Sequence, residues 1–202
     1  VTQEEVDSAT LKLNKAIASL VPLDNNIAFN ARVTTSYVSP WENLSAVNDN
    51  LVGEDSRALG IPHYGTWGNH SSEESITYTW GVPMNVSSSE IYFWNDGGGI
   101  KAPKSYRYEY LNEDGEWVLA FVAEENTLEL DKYNITDFDQ LTATAFRVTI
   151  KKPAQSSEGI GVVEWRVIGK NPNQEDKAVE NVISKIAALP SVEDLTLEDK
   201  TV

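Results

Sequence analysis

The 202-residue chain has no cysteine, one methionine and two histidines, and its 16 Lys and Arg residues stand against 31 Asp and Glu. Without cysteine there is no disulfide framework, no thiolate zinc site and no thiol nucleophile, so an ordinary apolar core must hold the fold. With few bases and a formal charge of −15, clustered Lys and Arg for nucleic-acid phosphates are missing, and anionic membrane surfaces would repel the chain. No apolar run approaches the ~20 residues of a membrane span, and no signal-peptide pattern is present. HExxH, GxSxG and SxxK motifs are also absent. His63 and His70 share one loop but would need a third ligand to make a zinc site. Paired carboxylates could hydrolyse glycosides, but so many acids make chance pairs inevitable, and the reading is that the chain is not itself an enzyme.

What is present is aromatic: six Trp and eight Tyr. The chain divides into three parts. Residues 1–22 carry Val6, Ala9, Leu13, Ile17 and Leu20 at helical spacing, and Pro22 closes the run. Residues 173–202 repeat the pattern with Val179, Val182, Ile183, Ile186 and Leu189 before Pro190. Each stripe lacks a partner in its own segment, so the two are expected to pack on the β region or on each other, or each to be a piece of a neighbouring helical module. Residues 26–170 hold short apolar or alternating runs separated by turn residues, as antiparallel strands do. Examples are Ser75–Trp80, Glu90–Trp94, Tyr106–Tyr110, Glu116–Val122, Ala145–Ile150 and Val162–Ile168. Asp114-Gly115 marks a hairpin between two of them. No helix alternates with these strands. The fold class expected is therefore mainly β, an antiparallel jelly-roll β-sandwich with flanking α-helices at both termini.

A tryptophan on a loop can offer its flat face to a sugar ring, yet aromatics are core residues as readily as contacts. Trp80, Trp117 and Trp165 lie inside strand patterns and are expected to be structural. Trp41 follows Pro40, and Tyr64 sits in Pro62-His63-Tyr64-Gly65; such polar, punctuated loops are where binding residues gather. Trp94 opens Asn95-Asp96-Gly97-Gly98-Gly99, which lacks the spacing of a phosphate cradle. Ser45–Asn50 with Glu54 and Asp55 offers carboxylates and amides to a hard cation such as Ca²⁺, without EF-hand spacing. Four N-x-[ST] sequons occur, at Asn43, Asn69, Asn85 and Asn134, and matter only in a glycosylating host.

The ordered set of features in 26–169 resembles the discoidin-like, coagulation-factor type C domains and their bacterial galactose-binding-like carbohydrate-binding modules. Asn26–Ser36 looks like the family's first strand and following loop. Ala46-Val47-Asn48-Asp49-Asn50 matches its A-V-D-G turn, with Asn50 in the glycine slot. Ser105–Tyr110 through Asp114-Gly115-Glu116-Trp117 matches its central hairpin. Phe146-Arg147-Val148 and Val163–Gly169 match its closing strands. Three expectations follow from the resemblance. Loops 36–43, 60–66 and 95–101 would face a glycan, with Trp41, His63, Tyr64 and Asp96 as contacts. Asp49 and Glu164 would hold a structural Ca²⁺, and Trp67 would be packed. The flanking helices resemble small FIVAR-like spacer modules of bacterial surface enzymes. The function implied is a non-catalytic carbohydrate-binding module. It would be monomeric, secreted or on the cell surface of a bacterium, and would target a glycoside hydrolase in the same parent chain to plant or host glycan. A structural spacer or protein-contact domain with no sugar binding is the alternative.

Overall fold

The computed structural model describes residues 25–53, 60–153 and 158–173. The two helices expected at the termini, and Glu54 and Asp55, lie outside the described residues. The β fold forms one compact unit, Asn25–Pro172.

Eight strands build it: β1 (Arg32–Thr35), β2 (Tyr64–Gly65), β3 (Glu73–Trp94), β4 (Ile100–Lys101), β5 (Ser105–Leu111), β6 (Trp117–Val122), β7 (Tyr133–Lys151) and β8 (Gly159–Lys170). The hydrogen-bonded order is β2-β8-β3-β7-β5-β6, with β1 on β3 and β4 on β8. All pairings are antiparallel except the two-residue β4 against β8.

The runs Ser75–Trp80 and Glu90–Trp94, which read as separate strands around Gly81-Val82-Pro83, are one strand of 22 residues. A register shift between Thr79 and Met84 absorbs the interruption, which is where a sheet tolerates proline. The first half of β3 pairs with β1 and the end of β7. Its second half pairs with β8 and the start of β7. The long strands therefore pass from one layer to the other and fold the sheet over a single core.

Period-two alternation decides what fills that core. Trp165 of β8 stacks on Tyr78 of β3 at 4.3 Å and 18°, and lies nearly parallel to Tyr108 of β5 at 6.2 Å. Phe146 of β7 completes the stack. All four are fully buried. The polar atoms of two of them are provided for: the Trp165 indole N–H donates to Ser89 Oγ, and the Tyr78 hydroxyl donates to the Val47 and Trp165 carbonyls, while the Tyr108 hydroxyl is sealed without a partner. The predicted Asp114-Gly115 turn joins β5 to β6, with Gly115 at φ +79° and the Asn112 side chain accepting from Glu116 N–H. Trp117 departs from expectation. It is 39% exposed on the outer face of edge strand β6, because alternation turns it away from the stack.

Candidate functional site

Loops 36–43, 60–66 and 95–101 meet at one end of the sheet. Ser39 N–H donates to the Gly65 carbonyl and Asn43 N–H to the His63 carbonyl, both at 2.9 Å. The Trp94 indole N–H donates to the Tyr64 carbonyl at 2.7 Å. Gly65 is where the three loops press together. A Cβ there would lie 3.0 Å from both Glu42 Cγ and Ile100 Cδ1, so a larger residue would have to push those side chains aside.

Trp41 is 78% exposed. Buried Ser39 accepts from Trp41 N–H through its hydroxyl, and Pro40 restricts the chain beside it. An apolar ring is thus held out in solvent by a fixed turn. Beside it Glu42 lies half-buried against Gly65, and its Oε2 is sealed from solvent without a hydrogen-bond partner. His63 is half-buried with its ring 4.6 Å from Trp94, and its Nε2 is likewise sealed and unpartnered. Buried polar atoms are normally satisfied. Two exceptions on adjoining loops next to an exposed tryptophan mark this end as a place where polar groups are kept in reserve. Glu42 was not singled out by sequence reasoning. Its signals were its place directly after Trp41 and the small Gly65 two residues after His63.

Other expected contacts are placed differently. Tyr64 is fully buried. Its hydroxyl donates to the Tyr37 carbonyl and lies 2.7 Å from Thr35 Oγ1, and burial pushes its pKa up. It is a core residue that ties the loop to β1 through its hydroxyl. Asp96 is exposed, but its Oδ1 accepts from Gly98 and Ile100 N–H at 2.6 and 2.9 Å, so it shapes its own loop. Trp67, expected to be packed, is 46% exposed with its ring against Gly99. Trp94 is buried and supports His63 from below.

Asp49 ends the short 3₁₀ segment Leu44–Asn48, and Glu164 reaches the turn that follows it. Asn50 adopts φ +61° in the slot where the resembled family has glycine. Its N–H donates to Oε2 of the fully buried Glu164 at 3.0 Å. Asp49 Oδ1 accepts from Leu51 N–H, and desolvation raises the Asp49 carboxyl above its usual range despite that bond. The donors are all hard oxygens, as Ca²⁺ requires, and a cation would offset the burial of charge. Two carboxylates and the carbonyls of the turn fit such an ion in chemistry. Among the described residues no third acid or histidine joins them, so the carbonyls would have to complete the shell.

No family model matches the sequence. Solved structures do match the fold. A structure from the Streptococcus pneumoniae β-galactosidase BgaA aligns with a TM-score of 0.58 and 20% identity, over 69% of this chain and 92% of that one. Chitosan-binding module 1 of the chitosanase/glucanase from Paenibacillus sp. IK-5 aligns at 0.54 and 16%, over 70% and 97%. The family 32 carbohydrate-binding module of C. perfringens NanJ, solved with galactose, aligns at 0.53 and 18%, over 70% and 96%. The described residues of the chain thus share the fold of these structures, carbohydrate-binding modules among them.

Proposed function

We propose that the chain is a carbohydrate-binding module that takes a glycan at the loop end around Trp41, Glu42 and His63. The observation that carries this reading is the fixed, exposed Trp41 ring beside two sealed, unpartnered polar atoms. It stands on a fold shared with modules solved in complex with galactose and with chitotriose. The indole would stack on the apolar face of a pyranose, and small loop rearrangements would let Glu42 and His63 meet its hydroxyls. Asp96 holds the third loop in place. Within a parent protein, such a module would keep a glycoside hydrolase on its substrate by raising effective concentration rather than by tight single-site affinity. A monomer at the surface of, or secreted from, a bacterium suits that role.

Calorimetric titration with galacto-, arabino- and chito-oligosaccharides tests the reading. At least one should bind, and Trp41→Ala should remove the part of that binding that perturbs the loop end. Silence toward all, in the wild type, would favour a spacer or protein-contact domain.

A structural Ca²⁺ at the Asn48–Leu51 turn, held by Asp49 and Glu164, belongs to the same proposal. EDTA should lower Tm and added Ca²⁺ should restore it; Asp49→Asn should remove the response. An unchanged Tm would leave the two carboxylates as hydrogen-bond acceptors for the turn alone.

A further inference from the structure

We propose a second sugar-contact surface on the open face of the β1–β3–β7–β5–β6 layer, with Trp117 as its stacking platform. Its evidence is separate from the loop end, and it does not need that site to be correct.

The face is built by register. Glu109 of β5 pairs with Arg147 of β7 on one side and Leu119 of β6 on the other, and Arg107 pairs with Thr149. All point away from the aromatic core. Arg147 is locked on Glu109 by two hydrogen bonds, Nε to Oε2 at 3.2 Å and Nη2 to Oε1 at 3.0 Å, and Thr149 adds a third at 3.2 Å. Arg107 is locked in turn on Glu73, its Nη1 lying 3.0 Å from both carboxylate oxygens. The guanidinium of Arg147 lies 4.1 Å from the centre of the Trp117 ring. One face of the indole therefore rests on a pinned cation, while 39% of the residue remains in solvent. An aromatic on an edge strand usually pays conformational entropy to be held flat for a ligand. Here the ion pair already orders it.

The platform continues into polar ground. An open groove of about 280 Å³ runs beside it, lined by Arg147, Thr149, Arg107, Glu73, Ser75 and residues at its Ser36 end. From β6 to β3 there are three strand spacings, roughly 14 Å, long enough for more than one sugar ring. The charges alternate and cancel: Glu73, Arg107, Glu109, Arg147. A cationic ligand would have to displace the arginines from the carboxylates, and an anionic one the reverse. Hydroxyls both donate and accept, so an uncharged oligosaccharide can use the unspent guanidinium N–H groups, the carboxylate lone pairs and the Ser and Thr hydroxyls without breaking either pair. The ligand class assigned is a neutral, extended oligosaccharide.

The test uses Trp41→Ala, which removes the loop-end platform. Indole and arginine Nε–H resonances are followed by ¹H–¹⁵N NMR during titration with cellotetraose, xylotetraose, chitotetraose and β-1,4-galactotetraose. The expected result is that the Trp117 indole and Arg147 Nε–H signals move together and saturate with at least one of them. Trp117→Ala in the same background should weaken that binding by about tenfold or more, as loss of a stacking ring does, and Trp117→Phe, which keeps an aromatic ring if alanine perturbs the strand, by less. A motionless Trp117 signal, in a protein whose wild type shows Trp41-dependent binding, overturns the second surface and leaves the loop end standing. No response from any indole in either protein overturns both.

Discussion

Three tryptophans are inside this protein and three are outside, and the two sets are treated oppositely. Trp80, Trp94 and Trp165 are at most 8% exposed. Each donates its indole N–H to an interior acceptor: the Ile27 carbonyl, the Tyr64 carbonyl and Ser89 Oγ respectively. Trp41, Trp67 and Trp117 are 78%, 46% and 39% exposed, and no acceptor within the described residues takes their N–H. Burial forces a polar tip to find a partner; exposure leaves it free for water or a ligand. The same residue type is thus tied into the core in one region and left open to solvent in the other, and the indole hydrogen bond separates them better than position in a strand or loop.

The sharpest way to break this contrast is Trp165→Ala. Removing the centre of the four-ring stack should cost about 3–5 kcal/mol, enough to unfold much of the protein, as chemical denaturation will read. Trp41→Ala is the matching change outside. It should alter stability by less than about 0.5 kcal/mol while removing the loop-end component of glycan binding in calorimetry. Equal effects of the two on Tm would show that Trp41 is packed and would remove it from the site.

The second contrast is between ion pairs. Lys152 and Glu74 are both buried, 3.4 Å apart, with Ser36 and Asn69 also bonded to the Glu74 carboxylate. Lys152→Met leaves a buried carboxylate without its cation and should cost about 3 kcal/mol or somewhat more, second only to Trp165→Ala in thermal scans. Lys151–Glu125 and Lys104–Glu125 lie on the surface, where solvent screens them, and Lys151→Met should leave Tm almost unchanged.

Glu109 falls between these cases. Desolvation works against its charge, but the hydrogen bonds and charge of Arg147, with Thr149 and Arg107, outweigh it and hold the carboxyl below its ordinary range. Because the folded-state pKa is depressed, this stabilisation is present above the ordinary glutamate pKa and disappears as pH falls through the lowered value. Acid titration of stability should therefore be less steep for Arg147→Gln than for the wild type. Identical curves would show that Glu109 titrates normally.

Much of the fold was legible in the sequence because period-two alternation is local. Tyr78, Tyr108, Phe146 and Trp165 all stand at inward positions of readable strands. The Asp114-Gly115 hairpin and the left-handed Asn50 turn announced themselves through residues that tolerate those conformations. The β3 continuity was hidden, since Gly81-Val82-Pro83 reads as a break and only the pairing partners carry the strand across it. At the loop end Trp41 was visible from Pro40 and its polar surroundings. Tyr64 was misplaced, because a two-residue strand is too short for alternation to show which way a side chain points.

The sequence by itself determined that the chain lacks cysteine and carries, between its terminal segments, a β domain with an aromatic core. Composition and short-range periodicity are properties of neighbouring residues, so one chain suffices to read them. Tertiary structure decided which tryptophans are exposed, that Glu42 joins Trp41 and His63 across Gly65, and that Arg147 lies beneath Trp117. These pairings link residues tens of positions apart, and strand register, which no local pattern encodes, sets the distances between them.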